Sequence, residues 1–171
     1  MHQCVFLDRD GVLNKELGYQ ITDIEDFELM DGLSESISAL NEEGFLLIII
    51  TNQSGIAKGS YDEQFVEACY ERIQAACNGQ IDAMYFAPGH ESVSKSLMRK
   101  PDSLMFEKAI AKFNIDPEKS WMIGDKERDL IPAKKLGIKT VLVGGVNSGF
   151  ADFEVSDLAE AKNTIINKEI H

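Results

Sequence analysis

The sequence predicts an α/β fold in which a parallel central sheet carries helices on both faces. Three observations predict it. Apolar runs and amphipathic helical stretches alternate along the 171 residues. The apolar runs, Phe45-Leu46-Leu47-Ile48-Ile49-Ile50 above all, are continuous, as strands buried on both faces are. Several of them end in polar, glycine-bearing turns, and open α/β sheets bind ligands at the carboxyl ends of their strands.

Five strands are expected, over 3–8, 45–51, 81–87, 119–124 and 138–143, with helices over 33–43, 62–77, 103–114, 128–136 and 156–168. Cys4-Val5-Phe6-Leu7 opens the first strand, which stops at Asp8-Arg9-Asp10-Gly11. Leu33, Ile37 and Leu40 keep helical spacing, and Gly44 closes that helix. The strand from Phe45 ends in Thr51-Asn52-Gln53-Ser54-Gly55. Ser60 and Glu63 have capping-box spacing ahead of the stripe Phe65, Val66, Cys69 and Ile73. Phe106, Ile110 and Phe113 form another stripe, stopped by Asp116-Pro117. Trp121-Met122-Ile123 runs into Gly124-Asp125-Lys126-Glu127-Arg128-Asp129, and Leu130, Ala133 and Leu136 follow with Gly137 as cap. Segments 14–32 and 88–98 read as loops over the site, and 145–155 as a surface connection.

Length supports one domain over 1–171 with a sizeable core, and 44% apolar content is ordinary for a globular chain. A net charge of −12 argues against nucleic-acid partners. No run is long and apolar enough for a membrane span, and the Asp8-Arg9-Asp10 interruption argues against a signal-peptide core. Cys4, Cys69 and Cys77 lack metal-type spacing and read as reduced, buried thiols of a cytoplasmic protein. His2 and His171 carry no signal. A monomer is expected.

The turns at the strand ends share one chemistry. Asp8 and Asp10 bring two carboxylates to one spot, which is unfavourable without a cation or a shared proton. Asp8, nearest the strand end, suits a nucleophile, and Asp10 suits acid–base work. Asp8, Asp125 and a main-chain carbonyl near Asp10 suit Mg²⁺, a hard ion that takes oxygen ligands. Thr51 supplies a hydroxyl, Lys100 a fixed positive charge, and Asp129 a group to orient a water or Lys100. Phosphoryl transfer needs this set of parts.

In this arrangement the chain resembles the haloacid dehalogenase superfamily of Mg²⁺-dependent phosphatases. The resemblance is carried by DRDG at 8–11, Thr51, Lys100 and GDxxxD at 124–129. DRDGVLN, LGYQITDIEDFELMDG, TNQSGIAKG, RKP and MIGDKERDL narrow it to the branch of heptose bisphosphate and histidinol-phosphate phosphatases, over roughly residues 3–143. The resemblance implies a three-layer Rossmann-like fold with a five-stranded parallel sheet and no large cap domain. It implies catalysis by Asp8, Asp10, Thr51 and Lys100, and Mg²⁺ on Asp8, Asp10 and Asp125. It implies substrate contacts from Glu16, Leu17, Gly18 and Tyr19, from Asn52, Gln53 and Ser54, and from Arg99 and Lys126. Relatives in this branch commonly carry a zinc loop before RKP. Here segment 87–98 has His90 and no cysteine, so no zinc is expected.

Arg99 and Lys126 read as spare cations in an acidic chain, which fits a substrate with a second anionic group, a sugar bisphosphate. Histidinol phosphate or another small phosphomonoester is the alternative. A phospho-acceptor signalling domain would share the aspartates, Thr and Lys, but it has no need of a proton donor at Asp10. Arg9 either screens the aspartates or meets substrate, and Tyr19 either packs under its loop or touches a ligand. Lys58 reads as a surface lysine and Trp121 as core.

Overall fold

The computed structural model describes residues 1–93 and 95–169. His171 lies outside them, as does Ser94 of the 88–98 loop. The strands are β1 (Cys4–Leu7), β2 (Leu46–Asn52), β3 (Ala83–Ala87), β4 (Trp121–Gly124), β5 (Lys139–Val143) and β6 (Phe153–Val155). The helices are α1 (Leu33–Glu42), α2 (Glu63–Ala76), α3 (Leu104–Phe113), α4 (Glu127–Lys135) and α5 (Leu158–Glu169). All strand pairs are parallel, in the order β3-β2-β1-β4-β5-β6. Cys4 stands opposite Leu46 on one side, and Val5 opposite Trp121 on the other.

The alternation of strand side chains sorts the apolar residues into two cores. Val5, Leu7, Leu47, Ile49 and Ile123 face α1, α2 and α5, where Ile37, Ile73 and Ile165 meet them. Cys4, Phe6, Ile48, Ile50 and Met122 face α3 and α4, where Phe106 and Leu130 meet them. The Phe6 and Phe106 rings pack edge-to-face with centroids 5.1 Å apart. Burial on both faces is why the Leu46–Ile50 run shows no polar alternation. All three cysteines are free and buried in these cores, as is Trp121.

Two expectations need correction. The sheet has six strands, because Phe153–Val155 adds an edge strand on β5 within the segment read as a surface connection. The cap of α2 is Asp62, whose side chain accepts from Phe65 N at 3.0 Å, and Ser60 plays no such part. Gly44 closes α1 in the left-handed region ahead of β2, as its spacing predicted.

Strand order fixes where ligands can bind. From β1 the chain runs outward to β2 and β3, then crosses back to β4 on the other flank of β1. The connections diverge between β1 and β4, and a crevice opens above their carboxyl ends. The irregular stretches 8–32 and 88–103 lie between β1 and α1 and between β3 and α3, and neither forms a separate domain among the described residues.

Candidate active site

Asp8 follows directly on β1, and its N–H still bonds to Ile123 O at 2.9 Å, so the residue stays in line with the strand. Asp125 follows directly on β4, the neighbouring strand, and Thr51 lies in β2 on the other side. Gly11 turns the chain after Asp8 with φ +83. A Cβ at Gly11 would lie 2.4 Å from Asp125 Oδ2, so the two strand-end turns meet at a glycine because nothing larger fits.

Lys100 ties the site together. Its Nζ donates to Asp8 Oδ1 at 2.8 Å and to Ile50 O at 2.7 Å, and lies 2.7 Å from Asp129 Oδ1. The residue is 1% exposed, so these partners replace its whole hydration shell. Burial works to lower its pKa, but Asp129 and Asp8 outweigh that and raise it, which keeps the ammonium charged. Its main chain is clamped as well. Asn52 Oδ1 accepts from Lys100 N at 2.9 Å, and Asn52 Nδ2 donates to Lys100 O at 3.0 Å. Asp129 uses its second oxygen to accept from Lys126 N at 3.1 Å, closing the first turn of α4.

Asp10 points away from this cluster. The guanidinium of Arg9 grips it, Nη2 donating at 2.9 and 3.2 Å and Nε at 3.2 Å. Asn14 Nδ2 donates to it at 3.1 Å and Gln53 Nε2 at 2.9 Å. Gln53 Nε2 also donates to Thr51 Oγ1 at 2.9 Å, and its Oε1 accepts from Tyr61 at 2.7 Å. Burial would raise the Asp10 pKa, but Arg9 first, then the hydrogen bonds, hold it below the usual carboxylate range. Asp8 behaves oppositely. Burial, with the charges of Asp129 and Asp10, pushes it up to about 8 against the pull of Lys100.

Three carboxylates crowded at the ends of neighbouring strands fit a cation site. One oxygen each of Asp8, Asp125 and Asp129 lies within 4.8 Å of the others. Asp125 Oδ1 is buried and has no hydrogen-bond partner among the described residues. Burial and the charge of Asp129 raise the Asp125 pKa as well, despite Lys126. Asp129 Oδ2 accepts from the α4 backbone and its Oδ1 is ion-paired with Lys100 without a hydrogen bond, so Asp8 and Asp125 have an oxygen to give a metal and Asp129 stands beside them as the charge that holds Lys100. Asp10 can join them only through its main chain, since its carboxylate is turned toward Arg9. An all-oxygen donor set of this kind suits a hard divalent ion.

The remaining predicted residues divide. A cavity of about 150 Å³ lies beside Asp10, and Glu16, Tyr19, Asn52 and Ser54 line it. Leu17 and Gly18 are absent from its wall, and Gln53 is buried beneath, holding Asp10 and Thr51. Arg99 lines a different cavity and donates to Gly89 O at 3.3 Å. Lys126 is no spare cation: its Nζ pairs with Glu16 and Asp125, each at 2.7 Å. Five residues of the Asp10 cavity were not singled out from the sequence: Lys15, Gln20, Ile21, Tyr61 and Arg128. His90 Nδ1 lies 2.6 Å from Ser92 Oγ in its loop.

A strand-end aspartate held by a buried lysine, with a second carboxylate open to a metal on the adjacent strand, is the arrangement that phosphoryl transfer on an α/β sheet calls for. Residues 97–165 match the family model described as HAD-hydrolase-like. The D-glycero-beta-D-manno-heptose-1,7-bisphosphate 7-phosphatase of Haemophilus ducreyi is 39% identical over 147 residues, 81% of this chain and 80% of that protein. The corresponding D-glycero-alpha-D-manno enzyme of Burkholderia mallei is 32% identical over 174 residues, 96% of this chain and 88% of its own. The crystal structure of D,D-heptose 1,7-bisphosphate phosphatase from B. bronchiseptica, complexed with magnesium and phosphate, superposes with a TM-score of 0.87 at 24% identity, over 97% of this chain and 99% of that one. The chain belongs to the haloacid dehalogenase-like hydrolases, and within them it is a phosphoric monoester hydrolase. No helix among the described residues is long and apolar enough to cross a membrane.

Proposed function

We propose that this chain, acting as one catalytic unit over 1–171 in the cytoplasm, removes the 7-phosphate of D-glycero-D-manno-heptose 1,7-bisphosphate. The observation that carries the reading is the division of labour between two aspartates. Asp8 sits buried on Lys100 at the end of β1, and Asp10 faces the adjoining cavity. The names of the similar enzymes support the substrate. They differ in anomer, so the preferred anomer is read from paired assays of the two.

In this mechanism a carboxylate oxygen of Asp8 attacks phosphorus, and the bond from phosphorus to the ester oxygen breaks. Lys100 holds Asp8 in place and sets its charge against the phosphoryl oxygens, together with the Thr51 hydroxyl. Asp10 enters the cycle protonated and delivers its proton to the leaving sugar oxygen. In the second step the Asp10 carboxylate takes a proton from the water that attacks the aspartyl-phosphate, which frees phosphate and Asp8 and restores the protonated acid for the next turnover. Arg9 and Gln53 stabilise the carboxylate that Asp10 becomes between the two steps. Asp8, Asp125 and the main chain of Asp10 would hold Mg²⁺, which supplies charge neutralisation at the phosphoryl group.

Asp8→Asn changes charge and not shape, so it abolishes turnover while the fold stays intact. Asp10→Asn lowers kcat on the order of 10²–10⁴-fold, the range for a positioned acid–base group. Steady-state assays on heptose 1,7-bisphosphate, histidinol phosphate and a panel of sugar monophosphates test both mechanism and substrate. More than a few per cent of activity in Asp8→Asn would rule out the covalent route. Preferential turnover of histidinol phosphate would move the substrate to the alternative.

A further inference from the structure

We propose that Tyr61 is a positioning residue of this reaction: its hydroxyl fixes which way round the Gln53 side-chain amide stands, and so aims the donors that hold Asp10 and Thr51. This rests on the acid–base reading of Asp10 above. The starting point is a chain of side-chain hydrogen bonds that runs in one direction. Tyr61 Oη donates to Gln53 Oε1 at 2.7 Å. Gln53 Nε2 then donates to Asp10 Oδ2 and to Thr51 Oγ1, each at 2.9 Å, which uses both of its hydrogens. Gln53 and Thr51 are buried, so no bulk water replaces these partners. The main chain of Gln53 is pinned by its N–H to Ala87 O at 2.8 Å, and only the amide is left to turn.

The two faces of an amide side chain have the same shape and opposite chemistry, so its neighbours decide how it stands. Asp10 decides only while it is ionised. Its carboxylate accepts and nothing else, and calls for Nε2. The carboxyl it becomes in the other half of the cycle can donate, and a reversed amide would satisfy it with Oε1. Its proton would then be spent on Gln53 instead of the leaving oxygen. The Thr51 O–H would be drawn to the same Oε1, away from the phosphoryl oxygens. In the observed orientation Thr51 accepts from Gln53, which leaves its one proton free to donate to them. Tyr61 opposes the reversal in both states of Asp10, because it keeps Oε1 occupied.

Tyr61 can do this because its ring is held and its proton has one place to go. The turn after β2 folds the chain back over Gln53, tied by Lys58 N to Ser54 O at 3.2 Å and by Ser60 N to Gly55 O at 2.8 Å. A Cβ at Gly55 would lie 2.2 Å from Tyr61 Cε1 and 2.4 Å from Gln20 Nε2, so the ring and the Gln20 amide fill space that only a glycine leaves. On its other side the ring packs on Phe65, with centroids 4.9 Å apart. Burial, joined by the Asp10 charge, raises the Tyr61 pKa against Arg9 and against hydrogen bonds from the Gly55 main chain and the Gln20 side chain, so the hydroxyl stays protonated. Those two groups act as donors to the phenolic oxygen, which leaves Gln53 as the acceptor for its hydrogen.

The test measures kcat/KM for the best sugar phosphate of the panel above and for p-nitrophenyl phosphate, in the wild type, Y61F, Q53M and Y61F/Q53M. Y61F removes one hydroxyl and keeps the ring on Phe65. It is expected to lower kcat/KM for the sugar phosphate roughly 2- to 10-fold, the worth of one hydrogen bond. The loss on p-nitrophenyl phosphate should be smaller, because p-nitrophenolate departs without a proton and calls less on Asp10. Q53M should show the same pattern more strongly. In the Q53M background Y61F should cost nothing further, since Tyr61 acts through Gln53. Equal losses on the two leaving groups in Y61F would mark a general loosening and overturn the proposal. So would losses that add in the double variant, or a Y61F as active as wild type on the sugar phosphate. The leaving-group comparison in Y61F decides alone if Q53M is not recovered folded. Wild-type turnover in Asp10→Asn would defeat the acid–base reading itself, whereas an impaired Asp10→Asn beside an unimpaired Y61F defeats only the role of Tyr61.

Discussion

Gly11→Ala offers a measurement of how tightly the two strand-end turns are fitted. Gly11 has φ +83, where an alanine costs about 1–2 kcal/mol. The new Cβ would stand 2.4 Å from Asp125 Oδ2 and 2.8 Å from its Cγ. Ordinary contact begins at 3.4 Å, so the carboxylate must retreat by about 1 Å (3.4 − 2.4). It is not free to do so, because Lys126 holds the same Oδ2 at 2.7 Å. Gly44→Ala is the matched control. It has φ +82, and its Cβ would meet only Gln3 Nε2, at 3.9 Å, so it carries the backbone cost without the collision. Urea unfolding of both variants should place Gly11→Ala about 1–3 kcal/mol below Gly44→Ala, the usual cost of overpacking. Moving a metal-facing carboxylate by that distance should also lower kcat on the order of 10²-fold and raise the Mg²⁺ concentration for half-activity. Gly44→Ala should keep both. Equal stability of the two variants, with Mg²⁺ dependence unchanged in Gly11→Ala, would refute the close fit of Gly11 against Asp125.

Three further outcomes follow from the site and its surroundings. Activity should require Mg²⁺ and be inhibited by Ca²⁺, whose longer bonds and larger ligand number suit Asp8 and Asp125 poorly; full turnover in excess chelator would exclude the metal. Protein purified without chelator should carry well under one zinc per chain by elemental analysis, since segment 87–98 offers His90 alone and the three cysteines are buried in the core. Stoichiometric zinc surviving dialysis would count against that. Finally, partial burial works to raise the Asp152 pKa, but Lys134 and the N–H and hydroxyl of Thr140 outweigh it and lower it. A lowered carboxyl stabilises the fold above its unfolded pKa of about 3.9, and that stability is lost as pH falls through the folded value. Wild type should therefore exceed Asp152→Asn in stability at neutral pH, with the gap closing below about pH 4; a gap that persists at pH 2 would assign it to packing.

What could be read from sequence was set by strand ends. Asp8, Thr51 and Asp125 each lie at the carboxyl end of a parallel strand, and the continuous apolar runs mark those strands without reference to anything distant. Their meeting follows from topology, since β1 is flanked by β2 and β4. The misses share a different cause. Phe153–Val155 is three residues long and pairs only at the sheet edge, too short for a period to show. Ser60 matches the capping-box pattern, yet its N–H is held by Gly55 O, and the chain reaches the helix only at Asp62. Lys126 and Glu16 pair across 110 positions, so the loss of Lys126 as a free cation is invisible to any local window. Arg128 is the sharper case. It lies inside the GDKERD segment, between two residues whose spacing drew the attention, on the first turn of α4. Only the crossover that brings α4 beside the segment following β1 turns its side chain toward Arg9 and Asp10. The candidate catalytic carboxylates are thus legible where one strand presents them, whereas the residues that line the cavity beside Asp10 depend on which loops the sheet order makes neighbours, a geometry that only the folded chain supplies.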